Sequence, residues 1–172
     1  MPAHAASRGQ GPDAVLAGKV TRVIDGDTIG VLLASGPIRV RLHGIDAPES
    51  TQPGGIAATA WLTSQLLDQQ VLLQPVSQDR YERMVAVVYL QDRNINRALV
   101  QVGHAWAYRR YMRRSDREQC SLEARARRER AGLWAAATVH APWEYRATSG
   151  KGPFTIYGKS TADDCRKAIG RN

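Results

Sequence analysis

Hydrophobic and polar positions alternate through the first part of the chain, a pattern typical of short β-strands. Residues 17–33 are rich in Val, Ile and Leu and are interrupted by Asp25-Gly26-Asp27, which is a turn signal. A second turn at residues 35–37 leads into residues 38–43, where aliphatic and basic side chains alternate strictly. The pattern therefore predicts three antiparallel strands that follow one another in the chain.

Beyond a loop at residues 44–55 the apolar positions take a helical period, and helices alternate with further strands. The predicted elements are a helix over 55–67, strands over 71–73 and 84–90, and helices over 95–102 and 117–130. From Ala141 onward Pro, Gly and Ser predominate, and the pattern assigns no further element. Five short strands and three α-helices suit an α+β fold built on a five-stranded Greek-key β-barrel (OB-fold), although a fold by itself gives no function.

Length and composition fit one folded domain with an extension at each end. With 172 residues, of which 43% are hydrophobic, the chain can bury a core. We expect a flexible leader over residues 1–13, a domain over 14–146 and a C-terminal tail over 147–172. No apolar run approaches the roughly 20 residues of a membrane-spanning helix. We therefore expect no membrane partner, and we expect a monomer.

The termini and the cysteines bear on the cellular compartment. No basic stretch precedes an apolar segment at the N-terminus, so we expect no intact signal peptide, although Ala3-His4-Ala5 has the form of a cleavage site. Cys120 and Cys165 lack metal-site spacing and are either one disulfide, as in a secreted protein, or two unrelated thiols. We expect a secreted or periplasmic protein and leave both cysteine alternatives open.

Positive charge is concentrated in one segment of a basic chain. The 24 Lys and Arg residues against 16 Asp and Glu give a formal net charge of +8, which suits nucleic acid as a partner, with an anionic membrane or mere solubility as alternatives. Aromatic side chains interleave with Arg109–Arg114, which favours a phosphate-binding track there. For Arg125–Arg130 we favour a solvated helix face with ion pairs.

Carboxylates and arginines lie at predicted strand ends, where each alone could be only a turn residue or a surface charge. Asp27 follows the first strand and Asp46 lies beyond the third, so one divalent cation could bridge them. Arg41 leads towards Asp46, Arg83 begins the fifth strand, and guanidinium groups bind phosphate in a planar fork. Together with Glu49 they supply what hydrolysis of a phosphodiester requires, namely positioning and charge stabilisation.

Five segments of the chain form an ordered set of motifs. They are Val23-Ile24-Asp25-Gly26-Asp27-Thr28, Arg41-Leu42-His43-Gly44-Ile45-Asp46-Ala47-Pro48-Glu49, Asp79-Arg80-Tyr81-Glu82-Arg83, Asn96-Arg97-Ala98-Leu99-Val100 with Gly103, and Glu123-Ala124 with Gly132-Leu133-Trp134. In order and spacing they resemble the staphylococcal nuclease-like (thermonuclease) family over residues 17–145. Each segment alone is weak, but the complete set is specific.

The resemblance implies a calcium-dependent nuclease that hydrolyses phosphodiester bonds of DNA and RNA, prefers single strands and leaves 3′-phosphate ends. Asp27 and Asp46 would bind Ca²⁺ with help from the Ala47 carbonyl, and a threonine hydroxyl found there in the family is lost. Asp25 matches a position near the metal that usually does not contact it. The implied fold is the same five-stranded barrel with three helices.

The same resemblance implies the catalytic residues. Arg41 and Arg83 would bind the scissile phosphate and stabilise charge in the transition state, and Glu49 would first of all position the attacking water. Arg80 and Tyr81 match a Lys-Tyr pair that contacts a terminal phosphate.

Two departures from the family pattern affect substrate binding. Glu82 stands where the family has glycine, which puts an acid beside Arg83. Of two tyrosines that flank a base, an ungapped match keeps Tyr111 and replaces the other with Arg109, whereas a gap would make Tyr108 the stacking residue.

Two other functions compete with the enzyme. The first is a non-catalytic nucleic-acid-binding OB-fold module, because some family members lack the acidic residues. Such a module has no reason to keep the complete set of Asp27, Arg41, Asp46, Glu49 and Arg83. The second is an accessory protein of conjugation or repair whose nuclease activity is incidental, and the chain does not distinguish it from the enzyme.

Overall fold

The chain enters the fold through three antiparallel strands, as its alternating pattern predicts. In the computed structural model, which describes residues 14–148 and Cys165, they are β1 (Leu16–Asp25), β2 (Thr28–Leu33) and β3 (Gly36–Leu42). Asp25 pairs with Thr28 across the first turn. The second turn ends at Gly36, whose φ of +121° is rarely adopted by residues with a side chain, so this turn requires glycine.

Two further strands, β5 (Gln70–Gln78) and β6 (Met84–Leu90), close this meander into a barrel. The remaining strands are β4 (Ile45–Asp46), β7 (Arg93–Asn94) and β8 (Trp106–Ala107). Strand β5 runs antiparallel to β1 and β6, and β6 also pairs in parallel with β3. The described strands β3, β2, β1, β5 and β6 therefore form a closed ring. The predicted α+β fold with a five-stranded, OB-type barrel is confirmed.

Four α-helices accompany the barrel in the described part of the chain, one more than predicted. They are α1 (Gly55–Leu66), α2 (Ile95–Gln101), α3 (Glu118–Arg128) and α4 (Pro142–Thr148). The additional helix is α4, which lies in the segment from Ala141 onward to which the sequence pattern assigns no element. Pro142 suits the first position of a helix, where no N–H donor is needed, and the Tyr145 N–H donates to the Ala141 carbonyl at 3.0 Å. None of these four helices has the length and apolar character needed to cross a lipid bilayer.

Aliphatic side chains of the barrel and of the first two helices form the main core. Leu62 and Leu66 of α1 and Leu99 of α2 are completely buried. The barrel contributes Val20, Ile29, Val40, Leu73 and Val88, which are also completely buried. A second apolar cluster contains Trp106 and Trp134, with Trp143 of α4 packed against it. Burial of this aromatic surface explains why α4 forms although it is short.

Cys120 of α3 is disulfide-bonded to Cys165, which decides between the two alternatives left open by the sequence. Both residues are buried, and their Cα atoms are 5.3 Å apart. The bond spans a sequence separation of 45 residues and so attaches a distant part of the chain to α3. Structural disulfides of this kind persist in oxidising compartments.

Candidate active site

The strand ends bring the two predicted metal ligands to Arg41. Asp27 lies in the turn between β1 and β2, Asp46 ends β4, and Arg41 lies in β3 opposite Thr28. The Arg41 Nη1 atom is 2.6 Å from Asp27 Oδ2 in an ion pair, and Arg41 Nη2 donates to Asp46 Oδ1 at 2.9 Å. One guanidinium group therefore bridges the two carboxylates.

This cluster is shielded from solvent. Asp46 is 1% exposed, and the Arg41 side chain is 15% exposed, so Arg41 is not a solvated surface charge. Burial lowers the pKa of the Arg41 guanidinium, but the charges of Asp27 and Asp46 outweigh burial and raise this pKa overall. Burial raises the pKa of the Asp46 carboxyl in spite of the arginines beside it. Charges in such surroundings interact strongly with an ion or a phosphate.

Backbone and side-chain groups fix the Asp27 carboxylate. Its Oδ2 accepts a hydrogen bond from the Ala47 N–H at 2.8 Å, and its Oδ1 accepts one from the Thr28 hydroxyl at 3.2 Å. The Asp27 N–H donates to Asp25 Oδ1 at 3.0 Å. Burial and the charge of Asp27 raise the pKa of Asp25 to about 6. Asp25 and Ala47 thus both lie beside Asp27, as the motif order predicts.

Arg146 of α4 also enters this cluster, although no sequence pattern indicated it. Its Nη2 donates to Asp46 Oδ2 at 2.7 Å, and its Nη1 donates to Asp46 Oδ1 at 3.2 Å and to Glu49 Oε1 at 2.9 Å. The Glu49 side chain remains 38% exposed. The family resemblance ends one residue before Arg146, so no motif covers it. An arginine in an aromatic segment that follows Pro142 is the signal that could have indicated it.

Arg83 reaches the same cluster through a hydroxyl group. Its Nη1 donates to the Thr28 hydroxyl at 3.3 Å, and that hydroxyl in turn donates to Asp27. The Arg83 Nε donates to Asp79 Oδ2 at 2.7 Å, which orients the guanidinium. Burial raises the pKa of the Asp79 carboxyl, but hydrogen bonds from Arg83 and Tyr81 outweigh burial and lower it overall. The second predicted phosphate-binding arginine therefore lies one side chain away from Asp27, the first predicted metal ligand.

The middle of the chain matches a family of known proteins. Residues 39–136 match a family model described as Staphylococcal nuclease homologue. The chain belongs to the staphylococcal nuclease family. It is 43% identical over 141 residues to the Micrococcal nuclease of Shigella flexneri, covering 77% of this chain and 81% of that protein. It is 42% identical over 145 residues to Protein ParB of Escherichia coli, covering 79% of this chain and 82% of that protein.

A further relative matches a similar share of the chain. An uncharacterized endonuclease of Escherichia coli O157:H7 is 38% identical over 130 residues, which are 75% of this chain and 84% of that protein. Membership of the staphylococcal nuclease family confirms the resemblance recognised from the motifs and the expectation of a nuclease of this family. Asp27 precedes the segment that matches the family model and Arg146 follows it, and the fold brings Asp27 to Arg41 and Arg146 to Asp46 within that segment.

The loop between β5 and β6 departs from the staphylococcal nuclease pattern at Glu82. Asp79 Oδ1 closes this loop by accepting hydrogen bonds from the N–H groups of Tyr81 and Arg83. Glu82 has a φ of 59°, a left-handed conformation that glycine adopts most easily, and the family has glycine there. Tyr81 is exposed, and Arg80 donates to its hydroxyl at 2.7 Å. The predicted substrate-binding pair thus lies on the loop that carries Arg83.

Tyr111 presents a more accessible ring than Tyr108. The Tyr108 ring stacks on Trp143 of α4 with centroids 5.0 Å apart and an interplanar angle of 5°, which covers one of its faces. Tyr111 is 58% exposed and meets Tyr108 edge-on. Arg109 is exposed in the same short turn. The ungapped alternative, Tyr111 with Arg109, therefore offers the better surface for an unpaired base.

The donor set of the site suits a hard divalent cation. The carboxylates of Asp25, Asp27, Asp46 and Glu49 outnumber the guanidinium groups of Arg41 and Arg146. Carboxylate and carbonyl oxygens are the ligands that Ca²⁺ prefers. In the described residues no three His, Cys, Asp or Glu side chains form a ready metal cage. The ligands that the family resemblance implies, Asp27, Asp46 and the Ala47 carbonyl, would leave the rest of the shell to water.

Proposed function

We propose that the protein is a calcium-dependent nuclease that hydrolyses DNA and RNA, prefers single strands and leaves 3′-phosphate ends. The observation that supports this most directly is the bridge of Arg41 between Asp27 and Asp46. Arg83 lies one hydroxyl group away from the same cluster. A non-catalytic binding module would gain nothing from placing buried acids beside phosphate-binding arginines.

The side chains divide the chemistry among them. Bound Ca²⁺ would neutralise negative charge on the phosphate as a Lewis acid. Glu49 is accessible to solvent and positions the attacking water. Arg41 and Arg83 bind the non-bridging phosphate oxygens, and Arg41 can keep its carboxylates because a guanidinium group has five N–H donors. The water oxygen bonds to phosphorus and gives up a proton, the P–O5′ bond breaks, and the 5′-oxygen gains a proton, so that one water molecule is consumed for each bond cut.

A preference for single strands follows from the exposed aromatic and basic groups. A base can stack on Tyr111 only when it is not paired within a duplex. Arg80 and Tyr81 would bind a terminal phosphate, and Arg109 would bind the backbone or stack beside the base. The disulfide supports action in an oxidising place, which agrees with a secreted or periplasmic protein.

The direct test is cleavage of denatured DNA and of RNA of the same sequence by the purified protein. With Ca²⁺ we expect both to be degraded faster than duplex DNA, with 3′-phosphate ends, and we expect EGTA to stop the reaction. Activity that persists in EGTA would remove the metal from the proposal. Tight binding without cleavage at saturating Ca²⁺ would favour the non-catalytic module instead.

A further inference from the structure

Helix α4 carries a positive charge into the centre of the candidate metal site. The Arg146 guanidinium contacts both oxygens of Asp46 and one oxygen of Glu49, at distances from 2.7 to 3.2 Å. Burial lowers the pKa of this group, but hydrogen bonds and charges from Asp46 and Glu49 outweigh burial and raise it overall. Arg146 therefore remains charged and supplies what a bound cation would otherwise supply.

The position of Arg146 is determined by contacts along the segment that contains α4. Trp143 packs edge-on against Trp106 and stacks on Tyr108. The preceding segment is held by Gln52 Nε2, which donates to the His140 carbonyl at 2.7 Å. These contacts do not involve the guanidinium. Arg146 can therefore leave the carboxylates while α4 stays docked.

Arg146 and a divalent cation compete for the same oxygens. Asp46 Oδ1 accepts from Arg41 and Arg146, and Asp46 Oδ2 accepts from Arg146. A cation on Asp46 would have to share these oxygens with two positive groups, and like charges at such short range repel strongly. Arg41 contacts Asp46 at Oδ1, whereas Arg146 contacts both Asp46 oxygens, so an ion that takes Asp46 Oδ2 as a ligand displaces Arg146.

We infer that Arg146 is the resident cation of the metal-free site, that Ca²⁺ binding displaces it from Asp46, and that it thereby sets the Ca²⁺ concentration at which the site fills. This inference rests on the proposed metal-dependent function. Removal of Arg146 would take one positive charge away from Asp46 and Glu49 and leave Arg41 paired with Asp46. Arg146 thus stabilises the empty site and weakens the filled one.

Calorimetric titration of Ca²⁺ into the metal-free protein tests the inference without reference to activity. We expect Arg146→Gln to bind Ca²⁺ about tenfold more tightly than wild type or better, because one competing charge is removed. Arg146→Lys keeps the charge but loses the forked contact, and we expect an intermediate affinity. The matched control is Arg128→Gln, the same change at an exposed position of α3, and its affinity should stay within about twofold of wild type.

Thermal unfolding gives the second readout. In EGTA, Arg146→Gln should unfold at a lower temperature than wild type, and saturating Ca²⁺ should raise its unfolding temperature more than that of wild type. Equal or weaker Ca²⁺ affinity in Arg146→Gln, with normal binding by wild type, overturns the inference and leaves the proposed function standing. Absence of Ca²⁺ binding in wild type and in every variant overturns both.

Discussion

Glu82 holds a left-handed backbone conformation, with φ at 59°, directly beside Arg83. We expect Glu82→Gly to raise the free energy of unfolding by at most about 1 kcal/mol, because glycine adopts this angle without a Cβ clash but adds entropy to the unfolded chain. It should also lower KM for single-stranded DNA by removing an acid next to a phosphate-binding group. Urea denaturation and steady-state kinetics measure the two effects.

The matched control for this change is Glu82→Ala, which removes the charge and keeps a side chain at the left-handed position. It should lower KM in the same way without the gain in stability. Unchanged KM in both variants would contradict the proposed role of Arg83 in binding phosphate.

Asp116 is a buried carboxylate that ties the basic segment to the barrel. Its Oδ2 is 2.8 Å from His43 Nε2 and accepts a hydrogen bond from the Arg113 N–H at 2.7 Å. Burial raises the pKa of this carboxyl, but these contacts outweigh burial and hold it below its ordinary value of 3.8. Since the folded pKa lies below the unfolded one, the carboxylate stabilises the fold above about pH 4, and the stabilisation is lost as pH falls through the folded pKa.

We therefore expect Asp116→Asn to lower the free energy of unfolding at pH 7 by about 1–3 kcal/mol. The difference from wild type should shrink below about pH 4, where the wild-type carboxylate also takes up a proton. Urea denaturation between pH 3 and pH 7 gives both values. A difference that does not change with pH would show that the ionised form of Asp116 contributes nothing.

The site residues within the ordered motifs could be predicted from the sequence, whereas Arg146, which lies outside the motifs, could not. Asp27 and Asp46 follow strands whose alternation is clear, so their meeting with Arg41 follows from strand order and register. The separation between Arg146 and Asp46 is 100 residues, and only the docking of α4 joins them. Periodicity carries no information about such a contact, because tertiary packing creates it.

Among the elements, agreement was best where one face of a strand or helix is buried. The first three strands and α1 to α3 lie within a few residues of their predicted bounds. Strand β5 is longer than the predicted 71–73 and reaches Gln78, with an irregular register between Pro75 and Ser77. The second half of β5 is mostly polar and only partly buried. Pairing with β6, and not hydrophobic alternation, therefore extends the strand.

The disulfide that joins Cys120 of α3 to Cys165 should stabilise the folded protein. Replacing both Cys120 and Cys165 with serine should lower the free energy of unfolding by about 2–4 kcal/mol, because the unfolded chain loses a crosslink. At temperatures where both proteins are folded, kcat should stay within about twofold, since neither cysteine contacts the carboxylate cluster. A reductant should produce the same loss in wild type and no change in the double variant. If reductant does not change the free energy of unfolding of the wild type, the disulfide is not formed.

At the scale of the whole molecule, the net charge of +8 favours binding of a polyanion such as nucleic acid. Exposed arginines at positions 109, 110, 113 and 114 lie beside Tyr111, as a phosphate track requires. Arg127 on α3 is instead committed to structure, since it pairs with buried Glu123 and lies over the Trp134 ring at 3.8 Å. Arg125 pairs with Glu129 on the exposed face of α3, as predicted for Arg125–Arg130, whereas Arg127 departs from that prediction because it packs against buried groups.

Salt dependence separates the two basic regions. Replacing Arg110 and Arg114 together with glutamine should weaken binding of single-stranded DNA and reduce the slope of log affinity against log salt by about 1.4, because each lost phosphate contact removes about 0.7. The matched control replaces Arg128 and Arg130, and its slope should equal that of wild type. Equal slopes in both double variants would exclude a phosphate track at Arg109–Arg114.

We propose that Arg41, held between Asp27 and Asp46, is part of the catalytic machinery. The measurement is kcat on single-stranded DNA at saturating Ca²⁺ for Arg41→Gln and for Arg22→Gln, the same change at an exposed position of β1, with folding of both checked by circular dichroism. We expect Arg41→Gln to lower kcat by about 10²–10³-fold, as loss of one charge-stabilising donor does, and Arg22→Gln to stay near wild type. A folded Arg41→Gln protein with the kcat of wild type would exclude Arg41 from the catalytic machinery.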